Sequence, residues 1–201
     1  WVTSTRSITG VIKYAPSLNC MEEATHMNRK SFIVGILVAG FFIATSVLMP
    51  SVGNAQADPR VTKSMAALIA AAAEVGKPKV EGTEAVGGKN AGALYLGTTK
   101  INNNFEIVDA VVKKNGGTAT FFVKTGDEYV RVSTNVPKPD GSGRAIGTIL
   151  DPKGKAIVNI NKGEAFYGEV TILGVPYITG YEPIKDASGK VIGIYYVGFK
   201  K

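Results

Sequence analysis

Cysteine, histidine and tryptophan are almost missing from this chain of 201 residues. Each occurs once, as Cys20, His26 and Trp1, and all three lie within the first 26 residues. The rest of the chain therefore has no thiol for a disulfide and no imidazole for a Ser-His-Asp or Cys-His nucleophile. Zinc, copper and haem sites built on cysteine or histidine are excluded there for the same reason.

A long hydrophobic run, residues 31–52, follows a short basic segment that starts at Met27. Ala55 and Ala57 then provide the small-x-small pattern of a signal peptidase site. We predict a secretory signal peptide over 27–57 that is cleaved after Ala57, which would make the protein periplasmic or secreted. The alternative is an uncleaved anchor in the inner membrane, because a run of about twenty apolar residues can cross a bilayer.

The chain begins with Trp1, and Met27, which opens the basic segment of the signal peptide, is the expected start. Residues 1–26 are therefore expected to be a non-native extension upstream of that start; the alternative is a basic or flexible extension with a role of its own. The predicted mature protein, 58–201, has the length of one domain.

Basic residues exceed acidic ones, and the formal net charge is +7. The lysines of the predicted mature protein are scattered over turns, with acidic residues among them. A nucleic-acid-binding protein would cluster its basic residues on one element, with aromatic residues between them. The charge therefore indicates a basic, soluble surface, and no nucleic-acid partner is expected.

Apolar residues recur at helical spacing after Asp58 and Pro59, which suit the N-cap and the first helical position. The stripe predicts one long helix that ends at Gly76; it consists of Val61, Met65, Leu68, Ala72 and Val75. Further elements are predicted in this order: a helix over 105–114, strands over 118–124 and 128–136, a short helix within 145–161, and a three-stranded meander over 163–198. This order predicts an α+β domain with five antiparallel strands and the helices on one face of the sheet.

The closing meander contains repeated tyrosines and hydroxyl side chains, followed by a turn and the sequence Gly-Lys-Val-Ile-Gly-Ile. Together with 115–123, 129–136 and 143–150, it resembles the single Cache sensor domains of the Cache 3/Cache 2 fusion type, found in bacterial chemoreceptors and sensor kinases. The resemblance implies a PAS-like five-stranded antiparallel sheet, with a long N-terminal helix across one face and a ligand pocket on the other. It also implies an extracytoplasmic role in signal transduction or chemotaxis, and small ligands that are commonly carboxylates such as acetate or pyruvate.

Strict alternation along the strand from Tyr129 places Arg131 and Ser133 on the face opposite its valines. The valine face suits the apolar helix, so Arg131 and Ser133 are expected on the pocket face. Arginine can hold a carboxylate with two parallel hydrogen bonds and keeps its charge at any cellular pH. The alternative is that Arg131 is a solvated surface residue or pairs with a nearby acid such as Asp127.

The strand after Gly174 places Tyr177, Thr179 and Tyr181 on one face. Tyrosine rings can close a pocket while their hydroxyls bind a ligand, although ordinary cross-strand packing is the alternative. Tyr167, at the start of the preceding strand, is a further candidate that can also serve packing alone. The candidate ligand-binding residues are thus Arg131, Ser133, Tyr167, Tyr177, Thr179 and Tyr181; no metal site and no cofactor are expected.

Receptors of the related citrate type have the pattern Arg-x-Ser-His in the first of these strands and basic residues in the second. This chain has Thr134 in place of that histidine, and Thr179 and Tyr181 at the basic positions. A tricarboxylate would leave negative charges unpaired here, at a desolvation cost. The departure favours a small monocarboxylate or a neutral polar ligand.

The main hypothesis is therefore a periplasmic sensory module that binds a small organic acid or a similar metabolite. Since the sequence ends soon after the last strand, we expect a free binding protein or part of a longer receptor. It would act with a membrane signalling partner and form a homodimer through its N-terminal helix.

Two other functions remain open at the level of sequence. One is a structural or interaction module that has lost the pocket. The other is an exported hydrolase, which would need a Ser-Lys pair or a carboxylate pair. No serine of the predicted mature protein lies in a G-x-S-x-G or S-x-x-K context, so we do not expect an enzyme.

Overall fold

The computed structural model describes residues 57–201. The predicted extension, 1–26, and nearly all of the predicted signal peptide, 27–57, lie outside the described residues. Within 57–201, no helix combines the length and the apolar character that crossing a membrane requires.

The first described element is α1 (Pro59–Val75), the long helix that the apolar stripe predicted. The Asp58 side chain caps it by accepting a hydrogen bond from the backbone N–H of Arg60 at 2.8 Å. The stripe is buried except at its C-terminal end, where Val75 is 38% exposed in the last turn. Ser64, which the stripe did not include, is buried as well.

A three-stranded antiparallel sheet lies between α1 and the next helix in the chain, and the sequence-based prediction missed it. Its strands are β1 (Pro78–Val86), β2 (Lys89–Leu96) and β3 (Thr99–Lys100), in that order. The predicted order, in which the long helix is followed directly by the short one, is therefore wrong. The register of β1 shifts between Val80 and Thr83 and most of the strand is partly or fully exposed, so no apolar alternation marks it.

Two shorter helices follow at their predicted places. The helix α2 (Glu106–Asn115) begins after Asn104, whose side chain accepts a hydrogen bond from the backbone N–H of Glu106 at 3.0 Å. It ends at Gly116, whose φ of 76° favours glycine. The helix α3 (Lys155–Asn161) is the short helix predicted within 145–161.

A five-stranded antiparallel sheet completes the α+β, PAS-like architecture, in the order β5-β4-β8-β7-β6. Its strands are β4 (Thr118–Thr125), β5 (Glu128–Thr134), β6 (Phe166–Ile172), β7 (Val175–Lys185) and β8 (Val191–Lys200). The last three form the predicted meander. β8 lies in the middle of the sheet, because it pairs with both β4 and β7.

Each face of this sheet has its own buried core. On one face, here called the helix face, α1, α2 and β2 pack against residues that include Ala119, Phe121, Val123, Val132 and Val197. On the other, the pocket face, α3 packs against residues that include Phe122, Tyr177, Tyr181, Ile194 and Tyr196. The expectation that all helices lie on one face is thus wrong for α3, because its buried Ala156, Ile157 and Ile160 cover the pocket face.

Candidate functional site

A β-bulge in β5 decides which of its side chains reach the pocket face. Phe122 pairs with Arg131, whereas the neighbouring Phe121 pairs with Ser133, so Val132 is the extra residue. Cross-strand partners share a face, and Phe121 belongs to the core of the helix face. Arg131 therefore lies on the pocket face, as predicted, while Ser133 lies on the helix face.

The prediction from strict alternation that Ser133 lies on the pocket face is therefore wrong. The hydroxyl of Ser133 donates a hydrogen bond to the backbone carbonyl of Asn104, just ahead of α2. Thr134, and not Ser133, lies on the pocket face, and its hydroxyl oxygen lies 2.6 Å from that of Thr120. Ser133 anchors the loop before α2 and is separated from Arg131 by the sheet.

Arg131 is a buried cation, only 4% exposed. Its guanidinium stacks on Phe122, with 4.9 Å between Cζ and the ring centroid, and its Nη1 donates to the hydroxyl of Thr148. Within residues 57–201 it forms no ion pair with a carboxylate, and its buried Nε has no hydrogen-bond partner. Neither a solvated Arg131 nor a pair with Asp127 fits these facts. A buried charge without a counter-charge is costly, and an anionic ligand would reduce that cost.

The segment 145–150 holds Arg131 from the outer edge of β5. The backbone N–H of Arg131 donates to the carbonyl of Thr148 at 2.8 Å, and the N–H of Gly147 donates to the carbonyl of Arg131 at 2.9 Å. Gly147 has a φ of 78°, and a β-carbon there would lie 2.6 Å from the carbonyl oxygen of Val86. Glycine is therefore required at this position, and the end of β1 supports the segment that positions the arginine.

A cavity of about 420 Å³ opens beside Arg131 on the pocket face. Its apolar lining comes from the loop before α3, from α3 and from the edge strand β6 with its turn: Ile149, Leu150, Ala156, Val170, Ile172 and Leu173. Four charged residues, all exposed, also line it: Asp151, Lys153, Lys155 and Glu169. One buried cation beside an apolar patch, in a lining of mixed polarity, is a composition that suits a small-molecule site.

Three tyrosines interact electrostatically with the guanidinium of Arg131. Burial lowers the pKa of Arg131, and electrostatic interactions with Tyr196, Tyr181 and Tyr177 oppose that shift. Burial raises the pKa of Tyr181 and of Tyr196, whose ring centroids lie 4.9 Å apart. Both tyrosines therefore keep their protons at neutral pH, and arginine keeps its charge despite the shift.

β7 presents Tyr177, Thr179 and Tyr181 on the pocket face, as alternation predicted, and all three are buried. Of these, only Tyr181 lines the cavity with Arg131. The Thr179 hydroxyl donates to the carbonyl of Gly168 at 2.8 Å, and Tyr177 lines a separate cavity of about 280 Å³. The structure thus brings Arg131 and Tyr181 together and leaves Thr179 and Tyr177 outside the lining of that cavity.

Tyr167 lies on the helix face, away from the cavity. It pairs with Gly180, where a β-carbon would lie 2.7 Å from the Tyr167 ring, so the glycine makes room for the tyrosine. The Tyr167 hydroxyl donates to the carboxylate of Glu182, and burial together with this bond raises the pKa of Tyr167. These contacts give it a packing role, which was the alternative recognised for it from the sequence.

Sequence reasoning missed Thr148, Tyr196 and the apolar lining of the cavity. Tyr196 shares a face with Ile194 by simple alternation in β8, and that signal could have identified it. Thr148 lies in a segment without periodicity, and its place beside Arg131 depends on backbone hydrogen bonds to β5.

The family model of the Cache 3/Cache 2 fusion domain matches residues 54–201. The chain belongs to this family. Cache domains are extracytoplasmic sensor domains that serve signal transduction, and they are typically not enzymes. The resemblance seen in the closing meander and the neighbouring segments is thereby confirmed.

Among solved structures, the crystal structure of the E. coli DcuS sensor domain is similar to this chain, with 23% sequence identity and a TM-score of 0.36. The match covers 47% of this chain and 64% of the DcuS chain, so it spans less than two thirds of that neighbour. Comparison with curated proteins gives no match.

Proposed function

We propose that residues 58–201 form a sensor domain that binds a small carboxylate in the cavity beside Arg131. The burial of Arg131 without a carboxylate partner in the described part of the chain is the main support. The folded domain carries the desolvation cost of that charge, and an anion in the cavity would offset it. Membership in the Cache family supports sensing, in signal transduction or chemotaxis, as the role of such binding.

The residues around the cavity define how a carboxylate would be held. Arg131 can donate to it from the guanidinium edge that Thr148 does not occupy, and such charge-assisted bonds are the stronger kind. Tyr181, which lines the same cavity, can donate its hydroxyl because its raised pKa keeps it protonated. Stacking on Phe122 fixes the plane of the guanidinium.

A thermal-shift screen tests this function. The protein is exported from a bacterial host and purified, then heated with small organic acids, amino acids and neutral polar compounds. We expect one class of carboxylate to raise the Tm, and we expect Arg131→Met to abolish the rise. A cation whose pKa is lower in the folded than in the unfolded protein destabilises the fold at every pH at which it is charged. In the absence of ligand, Arg131→Met should therefore leave the Tm unchanged or raise it.

Two results would contradict the proposed function. Stabilisation by a carboxylate that persists in Arg131→Met would place the ligand elsewhere. A folded protein that responds to no compound would instead favour a structural or interaction module.

We further propose that residues 27–57 direct export and that cleavage after Ala57 releases the domain. Intact mass measurement of the exported protein tests this: a chain that begins at Asp58 supports cleavage, while uncleaved protein in the membrane fraction supports an anchor formed by 31–52. A membrane signalling partner and a homodimer through α1 remain proposals, which crosslinking in cells and analytical ultracentrifugation can test.

A further inference from the structure

The turn between β6 and β7 has an unusual occupant. Leu173 has a φ of 49°, in the left-handed region, and is followed by Gly174 with a φ of 85°. Leucine is disfavoured in that conformation, whereas asparagine and glycine adopt it readily. An Asn-Gly pair would suit such a hairpin turn better, so the leucine costs the fold stability.

The position of Leu173 beside the cavity indicates why a leucine occurs in this turn despite the loss of stability. It lines the Arg131 cavity, next to Ile172 of the edge strand, and yet it is 38% exposed. Ile149 and Leu150 line the same cavity from the loop before α3. The turn therefore adds apolar surface to the cavity that solvent still reaches.

The cavity also limits the chemistry of its ligand, given the carboxylate binding proposed above, on which this inference rests. A volume of about 420 Å³ far exceeds what acetate needs, since one water occupies about 30 Å³ of liquid. Among the residues that line the cavity, Arg131 is the one buried cation, whereas Lys153 and Lys155 are exposed and hydrated. Glu169 is paired with Lys201 at 2.7 Å. One desolvated positive charge beside the apolar part of the lining matches a single carboxylate that carries an aliphatic chain.

We propose that the ligand is an aliphatic monocarboxylate longer than acetate, and that Leu173 is a specificity-determining residue that covers its chain. Arg131 holds the carboxylate, and the chain runs along the apolar lining towards the turn. An asparagine at this position would stabilise the turn but expose the chain to water.

Calorimetric titration of the exported protein with acetate, butanoate and hexanoate tests the inference. In the unmodified protein we expect the affinity to rise about fourfold for each added methylene until the cavity is filled. Leu173→Asn should lose most of the gain for hexanoate, keep the affinity for acetate, and melt at or above the Tm of the unmodified protein. Leu173→Met keeps an apolar side chain at the same backbone position and should retain the gain.

Val175→Thr is the matched control, because Val175 is an exposed apolar residue that follows the turn directly, at the start of β7, and does not line the cavity. It should leave all three affinities unchanged. Equal affinity of the unmodified protein for acetate and hexanoate would overturn the inference. The inference would also fall if Leu173→Asn lowered the affinity for acetate and the affinity for hexanoate by the same factor. Glutarate and pentanoate have chains of the same length, but glutarate carries a second carboxylate. If glutarate bound more tightly than pentanoate, the inference would be wrong, and Lys153 and Lys155 would hold that second carboxylate.

Failure of the proposed function looks different from failure of this inference. If the folded, unmodified protein binds none of these acids, the inference falls, and the proposed function falls with it only if the thermal-shift screen of other carboxylates also gives no response. If acetate binds and depends on Arg131, but chain length and Leu173 have no effect, only the inference about Leu173 falls.

Discussion

The two faces of the five-stranded sheet are built from the same strands but bury different chemistry. The helix face buries mainly apolar side chains against α1 and α2, such as Phe121, Val123 and Val197. The pocket face buries a guanidinium, paired threonine hydroxyls and four tyrosines beside its apolar residues. A cavity of about 420 Å³ remains open on that second face.

This difference indicates that the helix face mainly stabilises the fold, while the pocket face provides the proposed binding site. Burial of apolar surface is the dominant favourable contribution to folding, and the helix face provides it mainly with apolar side chains, although it also buries the hydroxyls of Ser64 and Ser133. Buried polar groups cost free energy unless they find partners. The pocket face tolerates Arg131 because the helix face stabilises the sheet, and it thereby retains a charge for a ligand to bind.

The largest effect on stability is expected from Leu68→Ala, in the middle of α1. Leu68 is fully buried against the helix face, so its truncation should lower the free energy of unfolding by about 2–5 kcal/mol. Urea denaturation followed by circular dichroism measures the loss. Ile69→Ala, at a half-buried position of the same helix, should cost clearly less. Carboxylate affinity of the folded protein should stay unchanged in both; a loss of affinity in Leu68→Ala would show that the two faces are not independent.

A smaller effect is expected from Ser133→Ala, which tests the face that the β-bulge assigns to this residue. The hydroxyl of Ser133 donates to the carbonyl of Asn104, so its removal should cost about 1 kcal/mol of stability. Ligand affinity should not change, because Ser133 lies on the helix face. The exposed Ser142 provides the control, and Ser142→Ala should alter neither quantity. Weakened ligand binding in Ser133→Ala would contradict the placement of Ser133 on the helix face.

The smallest effect is expected from pH. Burial lowers the pKa of Arg131 from a very high ordinary value and raises that of Tyr181, so neither group changes charge near neutrality. No histidine lies in residues 57–201. Carboxylate affinity should therefore be constant between about pH 6 and pH 9, and should fall only as the ligand's own carboxyl protonates at about pH 4–5. Titration calorimetry across this range measures it; a transition centred near pH 7 would mean that another titrating group faces the cavity.

The sequence predicted regular, strongly patterned elements well. α1, α2, the β4–β5 hairpin and the closing meander follow from apolar periodicity, caps and turn residues, which act locally. The small sheet was missed because β1 has a shifted register and no apolar alternation. Arg131 and the tyrosines of β7 were placed on the correct face, because the strand is regular up to each of them.

The remaining features of the site depend on contacts between distant parts of the chain. The extra residue Val132 reverses the faces of Ser133 and Thr134, and a period-two pattern contains no sign of it. Thr148 reaches Arg131 only because its segment bonds to the edge of β5.

The amino-acid sequence by itself determined the family and the order of most elements, and it identified Arg131 in β5 as the permanently charged candidate for binding a carboxylate. These properties reside in local patterns and in the chemistry of single side chains. The tertiary structure decided which side of the sheet each residue of β5 faces, that Arg131 is buried without a carboxylate partner in the described residues, and how large the cavity beside it is. Those properties depend on register and on packing between strands and loops that are far apart in the chain, and no local pattern encodes them.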